Sequence, residues 1–315
     1  MTKFCSLRRV TIVSSLLLPF CAQGQRLPTT TALRNGDTLV YQLEISGSRS
    51  TKVESQVTTP QSPPAEDLTA HCLLQVSVVE TGASGFRLKT YLSDRNVPLR
   101  SAQSSNSQMA SPDKLVEVFV ALDGTASQIK GIADLTAAQQ TAWNAWLSRF
   151  TSPLTFPKGV RRGQRWKVSA NETSPSPIAE LSWARRYEYV QQESCGLASE
   201  GAGKGKVGQS AGAADSCAVI FVHAQLRQKS SPKNATPEDY KRRGLVTSGT
   251  ATGTNETILY VSTKTGLLVR SREDVQQSMD VTVSLADDSN KVRYLINAKS
   301  RQQVQLLPDA PQDVR

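Results

Sequence analysis

NETILYVSTKTGLLVRSREDVQQSMDVTVSLADDSNKVRYLINAKSRQQVQ, residues 255–305, repeats with a period of two. Val275, Met279, Val281, Val283 and Leu285 share one parity, against Ser278, Asp280, Thr282 and Ser284 on the other. Val292, Tyr294, Ile296 and Ala298 do the same against Lys291, Arg293, Asn297 and Lys299. Successive strand side chains point to opposite faces, so this alternation predicts strands with one face buried and one wet. Two turn signals divide the stretch, Lys264-Thr265-Gly266 and Asp287-Asp288-Ser289-Asn290. Three antiparallel strands therefore follow one another, over 255–263, 267–285 and 291–305.

The same rhythm extends towards the N-terminus. Leu39, Tyr41, Leu43 and Ile45 alternate after the Asn35-Gly36-Asp37 turn, and a separate polar edge strand is expected near 52–58. Residues 68–93 read as a hairpin about Gly82-Ala83-Ser84-Gly85. Residues 115–122, apolar on both parities except at Glu117, predict a strand covered on both sides, with a partner over 127–132. Further strands are expected from Trp166, over 178–192, 218–228 and 245–254, with one helical turn at 236–239. A single longer helix is expected. Thr136 and Gln139 form a capping-box pair, and Trp143, Trp146, Leu147 and Phe150 recur at helical spacing. The predicted fold is mainly β: a large curved antiparallel sheet, half-barrel or sandwich-like, with one packed α-helix. No strand–helix–strand alternation occurs, which disfavours a doubly wound or α/β barrel.

Residues 1–24 have the form of a secretory signal. Lys3, Arg8 and Arg9 precede an apolar run over 10–20, and Ala22-Gln23-Gly24 offers small residues for cleavage. That run is too short to span a bilayer. A lipidated Cys21 is the rival reading, disfavoured because Phe20 stands where a small residue is usual. Loss of Lys3, Arg8 and Arg9 leaves 34 of the 37 basic residues against 27 acidic ones, a net charge of +7. The remainder, 25–315, is expected to be one β-rich body, with halves over 33–155 and 156–307 and a flexible Gly/Ala loop at 196–216. NGDTLVY, residues 35–41, and RRGQRWKV, residues 161–168, hint that the halves are duplicates.

Export permits disulfides. Cys195 and Cys217 flank the Gly/Ala loop, so their pairing is favoured over free thiols, with Cys72 left as a buried small hydrophobe. No Lys/Arg stripe interleaved with aromatics appears, which argues against nucleic acid. Lys158, Arg161, Arg162, Arg165 and Lys167 form the densest positive cluster; a solvated turn is the favoured reading, and Lys158, Arg161, Arg162 and Arg165 are the candidate anion or partner contact. Trp143, Trp146 and Phe150 are candidate ligand-binding residues, although packing on a sheet face is the favoured use of such side chains.

Catalytic patterns are thin. Gly208-Gln209-Ser210-Ala211-Gly212 matches the serine-hydrolase consensus, with Asp215 and His223 in chain order, but no helix follows to form the strained elbow. A zinc set from His71, Cys72 and His223 would need those residues to converge. No cofactor motif is complete: the Gly-rich run 201–209 lacks the phosphate-loop Gly-Lys-Ser/Thr. Asn171, Asn234 and Asn255 begin glycosylation sequons.

The run 156–166, FPKGVRRGQRW, and the run 255–271, NETILYVSTKTGLLVRS, together with the signal segment, resemble uncharacterised exported bacterial β-proteins. The strand, Thr-Gly-Leu turn, strand element is similar to lipoprotein-carrier half-barrels. That resemblance implies a curved sheet with a helix on its concave face, and it carries over no functional residue. The function expected is a non-enzymatic exported protein binding an apolar, lipid-like ligand or an envelope component. An envelope scaffold or assembly protein is the alternative, and a hydrolase using Ser210 the remote one.

Overall fold

The computed structural model describes residues 33–55, 62–94, 115–121, 126–131, 157, 159–168, 176–195, 216–287 and 289–307. Among the described residues, eleven strands make one sheet. They are β1 (Thr38–Ser55), β2 (Glu66–Gly82), β3 (Gly85–Asp94), β4 (Leu115–Ala121), β5 (Ala126–Lys130), β6 (Arg165–Val168), β7 (Leu181–Ser194), β8 (Ser216–Gln228), β9 (Leu245–Ser262), β10 (Leu268–Leu285) and β11 (Val292–Leu306). All pairings are antiparallel, and the order is β5-β4-β3-β2-β1-β11-β10-β9-β8-β7-β6. Each strand lies beside its sequence neighbour except at one place. The first and last strands pair in the centre, and the chain passes from one sheet edge, β5, to the other, β6. The sheet is open, not a closed barrel.

Two expected breaks are absent. The strands expected at 38–45 and 52–58 are one 18-residue β1. Gly47 does not turn the chain; a Cβ there would lie 2.9 Å from the Lys299 carbonyl oxygen, so the glycine permits close approach of β11. The segments expected at 245–254 and 255–263 likewise merge into β9. The two-sided cover expected for 115–122 is corrected too. In β4, Val116, Val118 and Val120 are fully buried, whereas Glu117, Phe119 and Ala121 are half-buried and Leu115 is exposed. Apolar residues on both parities reflect strand propensity here, not burial on both faces.

One face, called inner, carries the core. Tyr41, Leu43, Leu74, Leu88, Ile220 and Val261 belong to its main cluster. At the other end of β7–β10 the same face holds a second cluster of Ile178, Leu181, Leu226, Ala235, Ala251 and Val281. Ala235 follows a 3₁₀ turn at Pro232–Asn234 and precedes the short helix α1 (Glu238–Lys241). The helical turn expected at 236–239 begins later because Pro237 lacks an N–H and occupies the N-cap. The longer helix expected around Trp143 lies outside the described residues.

The two turns flagged as a hint of duplication are built alike. Buried Leu33 and Val160 precede Arg34-Asn35-Gly36-Asp37 and Arg161-Arg162-Gly163-Gln164. In each, the fourth residue's N–H donates to the first arginine's carbonyl, at 3.1 and 3.0 Å. Its side chain accepts from that arginine's N–H in return, at 2.6 Å for Asp37 and 3.1 Å for Gln164. Gly36 and Gly163 adopt φ +89° and +80°, and their N–H groups donate to Val78 and Tyr189. Val78 and Tyr189 each donate back to the fourth turn residue, and a register shift follows each. Two turn–strand–bulged-strand units thus share one design.

Candidate functional site

Pairing registers place the inner-face side chains in rows across the sheet. A polar belt separates the two apolar clusters. Thr257, Glu273, Gln302 and Ile45 occupy one row; Arg185, Ala224, Asn255, Val275, Ser300 and Gly47 occupy the next. Asn255 is 1% exposed; its amide donates to Glu273 Oε1 and its carbonyl oxygen accepts from Thr257 Oγ1. Burial of such groups costs little when they bond one another and much when they do not. The Asn255 sequon is therefore sealed inside the sheet. Thr236, the third residue of the Asn234 sequon, is buried as well, its hydroxyl bonded to Thr247.

Beyond the belt the long strands carry a half-buried apolar row. Met279 pairs with Ile296, which pairs with Thr51; Val281 pairs with Tyr294, which pairs with Val53; Val283 pairs with Val292. Of these, Val281 is fully buried and the others intermediate. This apolar face lies on β1, β11 and β10, where β2 no longer accompanies β1 beyond Arg49.

The outer face begins at the disulfide. Cys195 and Cys217 are bridged and buried with Val269, under Tyr260. Arg270 sits 3.8 Å over the Tyr260 ring and reaches Glu193 at 3.3 Å. Beside it runs a groove of about 360 Å³, walled by Gln42, Glu44, Ile258, Arg272, Gln303 and Gln305 among others. Cys72 is buried on the inner side of β2, while His71 beside it is half-exposed on the outer side near Glu44. These two cannot share a metal with His223, whose Nδ1 lies 4.0 Å from Glu256 on the neighbouring strand.

The basic cluster around the Arg161 turn is divided by its surroundings. Arg165 forms a two-pronged pair with Glu188 across β6–β7, at 2.8 and 3.2 Å, which holds its guanidinium above the ordinary range. Arg162 Nε donates to the Val190 carbonyl at 3.2 Å, and Arg161 is exposed. Lys158 lies outside the described residues, as do Trp143, Trp146, Phe150, Ser210, Asp215 and Cys21. The sequence reading missed Arg186, which register sets directly opposite Lys167, because cross-strand pairing is invisible in one strand's residues.

Among the described residues no cluster of three or more His, Cys, Asp and Glu forms a metal site. None of the described helices is long and apolar enough to cross a membrane. No protein-family model matches this sequence, and no curated protein does. Among solved structures, a lipovitellin structure concerned with lipid–protein interactions aligns with 89% of this chain at 10% identity and a TM-score of 0.41. This chain spans 26% of that one. The outer membrane protein OprG from Pseudomonas aeruginosa aligns over 88% of this chain and 99% of its own, at 6% identity and TM-score 0.16. An outer membrane channel from Pseudomonas putida F1 aligns over 88% and 97%, at 9% identity and TM-score 0.20.

Proposed function

We propose that this chain is an exported, non-enzymatic β-sheet protein that holds an apolar, lipid-like ligand or envelope component on the inner face of its open sheet. The observation that carries this reading is the half-buried row Val53, Val292, Tyr294, Ile296, Met279 and Val283. Apolar area left partly in water costs about 25 cal/mol per Å², so an apolar guest that covers it binds favourably. The polar belt at Asn255 and Glu273 would orient the polar end of an amphiphile. Trp143, Trp146 and Phe150, at helical spacing, are proposed as aromatic side chains that exchange with the guest. Export rests on the signal-like residues 1–24, and the Cys195–Cys217 bridge is compatible with it. The mature body is proposed as one unit over 25–315, periplasmic or secreted.

Native mass spectrometry of protein purified from an envelope fraction without detergent tests this. Bound lipid masses are expected, with Ile296→Asn and Met279→Asn lowering their occupancy. A wild-type protein that is empty and takes up no added lipid would reject the proposal.

A further inference from the structure

A second surface lies on the opposite face, at the β6 edge. Lys167 stands directly opposite Arg186, and Arg186 directly opposite His223. Cβ atoms of directly opposed residues are about 5 Å apart, and like charges there repel. Lys167 and Arg186 are both exposed, and no acid meets either among the described residues. The acids of β7 are engaged elsewhere, Glu188 by Arg165 and Glu193 by Arg270. Arg161 and Arg162, on the turn that leads into β6, are exposed and extend the positive stripe. Glu256, the acid of this row on β9, stands beside His223 two strands away from Arg186, so the cations set side by side at the β6 edge leave a positive field there for an external anion.

The next row of the same face begins with the neutralised Arg165–Glu188 pair and then turns apolar on β8 and β9. Phe221 pairs with Ile258, which is 36% exposed, and Val190 nearby is 42% exposed. A soluble anion would use the charges alone; aliphatic and aromatic side chains beside them match the boundary between phosphate headgroups and acyl chains. We infer that the outer face of β6–β9 docks on an anionic phospholipid surface, with Lys167 and Arg186 on the headgroup phosphates and Val190, Phe221 and Ile258 against the acyl boundary. This site is on the other face from the apolar row, so either can fail without the other.

The test is co-sedimentation of the mature chain with vesicles of phosphatidylcholine alone or mixed with phosphatidylglycerol. Binding is expected only with the anionic lipid and should fall with added salt. Lys167→Gln with Arg186→Gln should weaken it about 25-fold, taking each surface cation as worth about a five-fold gain in affinity. Lys299→Gln with Lys52→Gln, which removes equal charge on β11 and β1, outside the docked strands, should change it less than about two-fold, because the attraction fades within a Debye length of the lipid. The Lys167/Arg186 pair should also melt no lower than wild type, since its removal relieves repulsion. Equal losses in the two double variants would reduce the effect to net charge and overturn the assignment. So would saturable binding of inorganic phosphate or an oligonucleotide without binding to vesicles.

Discussion

Gly36 and Gly163 test the duplicated turn at the scale of single residues. Both hold left-handed backbone, and a Cβ at either would meet nothing within 4 Å. The cost of alanine there is therefore conformational, about 1 kcal/mol at each site. Urea unfolding of Gly36→Ala and Gly163→Ala should give equal losses to within a few tenths of that; a neutral substitution at one site would break the equivalence. Asn255 is the second informative residue. Asn255→Asp keeps the shape but sets a buried carboxylate against Glu273. The new acid is more easily protonated folded than unfolded, so the protein should bind an extra proton on folding. Its stability deficit relative to wild type, about 2 kcal/mol at neutral pH, should shrink as pH falls towards 4. A deficit independent of pH would show that Asn255 acts by packing alone.

At the scale of elements, the bridge at the open ends of β7 and β8 has the plainest consequence. Cys195 and Cys217 are 22 residues apart, and closing that loop stabilises by about 3 kcal/mol on chain-entropy grounds. Cys195→Ser with Cys217→Ser should lower the melting temperature by several degrees, and a reductant should do the same to wild type but nothing further to the variant. The pairing itself was readable from the sequence, because two cysteines bounded a Gly/Ala-rich loop in a chain with a signal-like start. Strand parity was equally readable: the alternation of Val275 to Leu285 and Val292 to Ala298 is the inner face observed. Register was not. Lys167 and Arg186 are 19 positions apart, and nothing local in either strand says that they oppose each other. The break expected between Ile45 and Lys52 is not there, since Gly47 lies inside an unbroken strand where β11 comes close.

At the scale of the molecule, the sheet is held at its centre by pairing of its two ends in sequence, β1 with β11. No local pattern could announce that contact, since its partners, such as Tyr41 and Leu306, are separated by most of the chain. Cross-strand ion pairs on the outer face reinforce this seam. Arg293 of β11 takes both oxygens of Asp280 on β10, at 2.8 and 2.7 Å, and reaches Glu54 on β1 at 3.3 Å. Hydrogen bonding from Arg293 holds the Asp280 carboxyl below its ordinary value; that of Glu54 is lowered first by Lys52 and further by Arg293. For Asp274, burial works upward, but hydrogen bonds from Arg301 and Arg272 outweigh it, and the net direction is again down. A depressed carboxylate binds fewer protons folded than unfolded. Its contribution is therefore complete above the unfolded value, about 4, and is lost as pH falls through the lower folded value. These pairs are solvent-screened, so each contributes modestly, and the sum matters more than any one. The urea midpoint of wild type should be flat from neutral pH to about 5 and then decline. Asp280→Asn should lie below wild type at neutral pH and meet it near pH 2, where both seams are uncharged on the acid side. Parallel curves for the two proteins across that range would mean that Arg293 does not tie the central strands together.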